Sequence, residues 1–474
     1  MPLGRATDTK RNPMSFLHII GMIAAIALIV GMAIYSGTKA KGPANDNSAG
    51  VVAGIIMGTL VGGSSTVGTA QLAYSFGMSA WWFTLGGGIG CLVLALVYAT
   101  PMRAEKVPTV VGILRKEYGE TVGLAASLLN TIGTFINIIA QLLAASAVVV
   151  LMFPAMGTQA TIIIPAIVMV LYVVFGGTKG AGMVGIVKLV LLYASMVVCG
   201  VLALSLAGGL SGLVEMTRGY CAETGVNYFS VFARGVGKDL GAGLSLLVGV
   251  LTTQTYAQGV MSGKSDRTAR VGTLAGAVLI PIIGVFGIIV GLYMRSVTDP
   301  ATFLAKTALT QFVLDYLPPA VAGVVLGALF IASVGTGAGL ALGISTILTN
   351  DVVKKFTHRF DAPDKADLLS KALIVVVLAG ACLLSTGNLG DIIMNFSFMS
   401  MGLRGAVIFV PLTFALFAKG RVASIWALAS VVVGPVAVLV GNLLALPFDP
   451  LFLGLAVNLV IMACGLVVSP KSSQ

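Results

Sequence analysis

The chain has 474 residues, of which 57% are hydrophobic and 9% are charged. That balance excludes a soluble globular domain and makes the bilayer the solvent. The formal net charge of +11 does not mark a nucleic-acid binder, because the basic residues are scattered over short loops between apolar runs.

Taken in chain order, thirteen apolar segments are predicted to span the membrane, at about 15–36, 51–74, 80–101, 122–151, 159–176, 183–208, 240–262, 271–294, 320–349, 371–387, 391–417, 422–442 and 449–469. Each is long enough to cross roughly 30 Å of hydrocarbon, some with tilt. The first lacks the small-x-small cleavage site of a signal peptide and is read as a helix. With the N-terminus outside, eighteen of the 28 Lys and Arg fall in inside loops, eight fall outside, and Lys188 and Arg404 lie within spans. This predicts N-out, C-in; the short basic tail of Arg5, Lys10 and Arg11 alone argues the other way. The longest segments between spans, at 209–239, 295–319 and 350–371, are too short for a separate domain, so residues 1–474 read as a single membrane unit. The five cysteines show no CxxC or Cys/His spacing and predict neither a metal site nor a disulfide framework.

Two spans look interrupted. Gly62-Gly-Ser-Ser65 sits near the middle of the second, where glycine is costly in a helix and serine offers the backbone competing bonds. Unwound backbone at membrane depth survives only where it lines a cavity. Gly249-Val-Leu-Thr252-Thr253-Gln254-Thr255 is a weaker counterpart in the seventh span. If 15–36 is an extra helix, these become helices 1 and 6, the pattern of inverted-repeat carriers. The plainer alternative is a pair of small-residue packing faces.

Two charges lie inside spans, where an ionisable group needs a partner or a task. Lys188 sits about five residues, or ~8 Å, from the expected cytoplasmic end and could snorkel to the interface. Arg404 is too deep for that, and Asp391 is about 20 Å away along a continuous helix. Arg404 either binds an anionic group on a solute or bonds backbone carbonyls at a Gly break. Ser64, Ser65, Thr66, Gln71, Asn137, Gln141, Thr253 and Gln254 are candidates to hydrogen-bond a polar solute. Two cations and no deep carboxylate favour a small organic anion or zwitterion. Trp81 and Trp82 read as an interfacial belt. No HExxH, GxSxG or paired intramembrane aspartates point to an enzyme, and no domain is present that would make the chain a sensor.

Five stretches resemble the solute:sodium symporter family, which includes the sodium/glucose, proline and pantothenate carriers. They are Gly68-Thr-Ala-Gln-Leu-Ala-Tyr74 followed by Trp81-Trp82; Pro108-Thr109 through Gly119; Gln141 and its neighbours; Gln258 with Ser262-Gly-Lys264-Ser265; and Ser345-Thr346 through Asp351. Gly176-Gly177 recurs in its expected place among them. The resemblance implies an all-α, LeuT-type fold, with a five-plus-five inverted repeat and discontinuous helices 1 and 6. By position, 15–36 is an extra N-terminal helix, 51–208 the first repeat, 240–417 the second, and 422–469 two C-terminal helices.

The resemblance also implies a Na+ site formed by Gly58, Val61, Ala332, Gly335 and Thr336. This chain departs from it twice. Gly335-Thr336 stands where relatives present two adjacent hydroxyls, and Val184-Gly185 with Lys188 replaces a Thr-Asp and a following Gln. Some proton-coupled carriers of this fold place a lysine of the same helix at the sodium position. Lys188 is therefore expected to replace the ion, or to carry a coupling proton itself. The expectation is a secondary active transporter working by alternating access, sodium-independent or proton-coupled. The alternative is an ordinary sodium symporter with Lys188 snorkelling. Ser65 stands where sugar-carrying relatives have a substrate-binding amide, which disfavours a sugar. No cofactor is expected beyond Na+ or H+ as coupling ion. The expected setting is the lipid bilayer, as a multi-pass protein of a bacterial inner (plasma) membrane. The sequence leaves the oligomeric state open.

Overall fold

The computed structural model describes residues 15–468, except 40–45, 108, 154, 158, 177–180, 361, 387–391 and 445. Pro108, Gly177 and Asp391, and the basic tail residues Arg5, Lys10 and Arg11, lie outside the described residues. The first helices are α1 (Phe16–Lys39), α2 (Ala49–Leu60), α3 (Thr69–Phe76), α4 (Trp81–Val93), α5 (Ala99–Ala104), α6 (Val110–Tyr118) and α7 (Glu120–Met152). Then come α8 (Ala160–Gly176), α9 (Ala181–Leu206), α10 (Gly209–Thr224), α11 (Val236–Thr252), α12 (Gln254–Ser262), α13 (Asp266–Val297) and α14 (Ala308–Tyr316). The last are α15 (Pro319–Ile347), α16 (Lys354–Phe356), α17 (Pro363–Thr386), α18 (Ile393–Phe417), α19 (Ser424–Leu443) and α20 (Leu451–Val468).

Among the described residues the thirteen apolar segments fall mainly on helix, with breaks inside the second and the seventh. Among the described residues nine helical stretches are long and apolar enough to cross a membrane, and the bent pair α11–α12 makes a tenth. The expected loops are not bare: α6, α10 and α14 lie in them. These helices are short, and a search for apolar runs of bilayer length passes over them.

Both expected interruptions are real breaks. Between α2 and α3 the chain unwinds at Val61–Gly63 and re-enters through a π turn at Ser64–Gly68. Between α11 and α12 the axis bends by 50° at Thr253, which is extended. At the far ends of these helices, Asn47 before α2 and Ser262–Lys264 after α12 exchange backbone hydrogen bonds of 3.0 and 3.1 Å. Arg103 adds bonds to the Val260 and Met261 carbonyls, which α12 cannot satisfy internally, and to Asp266 at 2.8 Å.

The centre of the molecule is α7, α15 and α18, buried along most of their length, while α17 and α20 leave much of their apolar surface for lipid. Small residues let backbones touch, as membrane helices require. A Cβ on Gly185 of α9 would lie 2.2 Å from the Gly54 carbonyl oxygen, and one on Gly58 would lie 2.8 Å from the Gly185 Cα. This contact fixes α9 against α2 at one height, three residues before Lys188.

Candidate functional site

The break in the first core helix releases backbone groups. The Val61 N–H still bonds the Met57 carbonyl, at 2.7 Å, but the Gly62 N–H turns to Ser65 Oγ at 2.9 Å. The Gly58 carbonyl thereby loses the N–H that a continuous helix would offer it. Lys188 Nζ fills that vacancy, donating to the Gly58 oxygen at 2.6 Å and to Thr336 Oγ1 on α15 at 2.9 Å. The side chain is 5% exposed, and its amine turns inward between α2, α9 and α15.

Gly58 and Thr336, two of the expected sodium ligands, thus meet around the lysine. Val61 and Ala332 are buried, three and four residues from them along the chain. Gly335 faces elsewhere: a Cβ there would lie 3.7 Å from the Tyr172 hydroxyl. The residues present do not fit a sodium ion at this point. Two of its oxygens already accept from an ammonium, and a second cation a few ångströms away would be repelled.

Beside the break a second cluster forms. Gln141 Oε1 accepts from the Gly63 N–H at 3.0 Å, and Gln141 Nε2 donates to Ser64 Oγ at 3.0 Å and to Asn137 Oδ1 at 3.3 Å. Ser397 Oγ on α18 closes the ring, 2.7 Å from Ser64 Oγ and 3.3 Å from Asn137 Oδ1. The sequence reading missed Ser397, whose neighbours give no signal beyond a hydroxyl on an apolar helix.

The other candidates are engaged in the protein's own backbone. Ser65 Oγ and Thr66 Oγ1 donate to the Gly62 carbonyl, at 3.0 and 2.9 Å, and stabilise the unwound turn. Gln71 Oε1 accepts from the Ile393 N–H at 2.9 Å, at the start of α18. Gln254 Oε1 accepts from the Val110 N–H at 2.9 Å, at the start of α6. Thr253 Oγ1 donates to the Gly249 carbonyl at 2.5 Å and accepts from Arg404 Nη1 at 2.9 Å. Trp81 and Trp82 are half-buried, and their indole N–H groups donate to the Pro281 and Val231 carbonyls, which ties them to neighbouring segments as well as to any interface.

Two broken helices facing a buried polar centre, in an otherwise apolar helical bundle, define a secondary active transporter of LeuT type. The chain belongs to the sodium:solute symporter family, whose model matches residues 44–434. It is 24% identical over 444 residues to the high affinity choline transporter 1 of Homo sapiens, covering 85% of this chain and 73% of that one. It is 22% identical over 364 residues to the uncharacterized symporter YwcA of Bacillus subtilis, covering 74% and 70%. Among solved structures, the substrate-bound outward-open state of a Na+-coupled sialic acid symporter matches with a TM-score of 0.78 at 16% identity, over 97% of this chain and 100% of that one. The inward facing conformation of Mhp1 matches with a TM-score of 0.54 at 15% identity, over 90% and 93%. These likenesses show the fold. The protein is a multi-pass membrane symporter for a small molecule, not an enzyme.

Proposed function

We propose that this symporter moves a small organic anion or zwitterion without a sodium ion between helices α2 and α15, the Lys188 ammonium standing in its place. Coupling is then to protons, through the lysine itself, or to no ion. One observation carries the reading: Lys188 Nζ lies 2.6 Å from the Gly58 oxygen and 2.9 Å from Thr336 Oγ1, atoms the family resemblance assigns to sodium. A tethered cation has the charge of the ion but cannot leave, so it can link α2, α9 and α15 without a sodium gradient.

The substrate class rests on charge. Lys188 and Arg404 are both buried, and among the described residues neither forms an ion pair with a carboxylate. Choline, the solute in the human relative's name, carries a fixed positive charge that these two residues would oppose. Family membership favours a second reading, ordinary sodium symport.

The test is the melting temperature of purified protein in sodium chloride against N-methyl-D-glucamine chloride at equal ionic strength, from pH 5 to 9. A bound ion at a hundredfold excess over Kd stabilises by about 2.7 kcal/mol. The expected result is no sodium-specific rise, with a pH-dependent shift that Lys188→Ala removes. A clear sodium-specific rise returns the protein to sodium symport.

A further inference from the structure

One buried charge takes no part in the site described above. Lys306 lies in a single helical turn, Ala305–Thr307, of the connection between α13 and α14. It is 3% exposed, and among the described residues its ammonium makes no hydrogen bond and no ion pair. An ionised group taken out of water without a partner is costly. Either something supplies the opposite charge, or the burial is temporary.

The elements around this turn do not supply that charge. It packs against α3, the π turn Ser64–Gly68, α7 and α14. The π turn has no titratable residue, and α3 has only Tyr74, whose hydroxyl lies 2.9 Å from Thr298 Oγ1. The carboxylate of α7, Glu120, is in that helix's first turn and pairs with Arg115. On α14, Asp315 takes the Gln311 amide at 2.8 Å, and Tyr316 packs its ring on Phe312. Arg295 at the end of α13, 5.3 Å over the Tyr74 ring, has the same sign as the lysine. The connection also closes one approach to the central ring. Phe303 stacks on Tyr74 with centroids 5.2 Å apart, and Thr310 Oγ1 donates to the Ala147 carbonyl at 3.4 Å, six residues along α7 from Gln141. It thus reaches from α3 to α7 beside the turn that holds Ser64. Seated there, Lys306 is dry and unpaired; lifted away, it is hydrated. A carboxylate brought against the ammonium offsets the cost of seating.

We propose that Lys306 makes the seating of the connection 298–316 depend on an anionic solute, its ammonium pairing with the solute's carboxylate as the connection closes over the central Ser64–Asn137–Gln141–Ser397 ring. Lys306 is then a specificity-determining residue, because a neutral or cationic solute leaves the ammonium unpaired. The carboxylate rests on the organic-anion reading above; Lys188 has no part in it.

The test uses the full chain in detergent. Potassium acetate, the probe, replaces potassium chloride at constant ionic strength, and acetamide serves as the neutral isostere. Lys306 is read directly, by acylation with a water-soluble succinimidyl ester and peptide mass spectrometry, with the exposed Lys238 as internal control. A ligand held only in the seated state, at a tenfold excess over Kd, lowers the lifted fraction about tenfold. Acetate is expected to slow acylation of Lys306 by that factor and to raise the melting temperature; acetamide does neither. Lys306→Met melts above wild type in chloride, because seating no longer buries a charge, and gains nothing from acetate. Lys306→Arg keeps the acetate response, which a packing role alone would not give. The proposal is overturned if Lys306 is not acylated in chloride, if acetate leaves its acylation unchanged, if acetamide protects it equally, or if Lys306→Arg loses the response. Acetate that stabilises wild type and Lys306→Met alike also defeats it, and leaves the organic-anion reading standing. Stabilisation of both by tetramethylammonium chloride instead of acetate defeats the organic-anion reading and this proposal with it.

Discussion

The Lys188 ammonium donates a 2.6 Å hydrogen bond to the Gly58 carbonyl oxygen, an acceptor released by the break in its own helix. The relationship joins a sequence departure to a structural need. A helix broken inside a membrane must have its freed backbone groups satisfied from elsewhere. Here a side chain of a neighbouring helix does it.

Replacing that lysine tests both roles at once. Lys188→Ala is expected to reduce uptake driven by a pH gradient in proteoliposomes to the level of empty vesicles. It also leaves the Gly58 carbonyl unpaired, at a cost of about 1–3 kcal/mol. Gradient-driven accumulation that persists in the variant eliminates the lysine as the coupling group.

The backbone contact between α2 and α9 makes a sharper demand on size than on chemistry. A methyl group at Gly185 would meet the Gly54 oxygen at 2.2 Å, whereas one at Gly31 of α1 meets nothing within 4 Å. Gly185→Ala is expected to destabilise by about 1–3 kcal/mol. Gly31→Ala is expected to be neutral or to stabilise by up to about 1 kcal/mol, through helix propensity. Thermal melting of the two variants side by side is the check; equal melting temperatures would show that α2 and α9 are not held backbone to backbone.

Gln141 joins α7 to the break by accepting the Gly63 N–H and donating to Ser64 Oγ. Gln141→Leu strands the Gly63 N–H, while Ser64 Oγ keeps Ser397 Oγ, and should cost about 1–3 kcal/mol. Gln141→Glu keeps an acceptor for Gly63 and should melt closer to wild type. If leucine is tolerated as well as glutamate, the glutamine does not hold the unwound segment.

Two groups outside the spans make pH dependence legible: the charge on one costs stability and the charge on the other contributes it. Burial pushes Lys306, in the connection before α14, down from 10.5 to about 8. Its charged form is disfavoured in the fold, so the cost is full below pH 8 and is relieved as pH rises from about 8 toward 10.5. Lys306→Met should therefore stabilise at pH 7, by at most about 3 kcal/mol, and the gain should shrink by pH 10. Burial alone would push the Glu105 carboxyl up, but hydrogen bonds from Lys419 and Lys116 outweigh it and hold the group below its ordinary 4.5. That contribution is present above pH 4.5 and is lost as pH falls through the lower folded value. Denaturant titrations across both windows, on wild type, Lys306→Met and Glu105→Gln, read the two slopes; in each window the wild type is expected to gain stability as pH rises and the variant to lose that slope, and a wild-type slope of the other sign would contradict the geometry.

The sequence by itself determined the solvent, the helical spans and the two interruptions, because apolar length and a cluster such as Gly62-Gly-Ser-Ser65 are local properties of the chain. It also marked Lys188 and Arg404, since a charge inside an apolar run stands out without a fold. It did not reveal which polar side chains would face one another. Ser65, Thr66, Gln71 and Gln254 read as solute contacts until the structure showed their atoms bonded to the backbone of the breaks and helix starts. Ser397 carried no signal, yet it closes the ring on Ser64 from 333 residues away. Which donor finds which acceptor is decided by helix packing in three dimensions, and one-dimensional periodicity does not contain it.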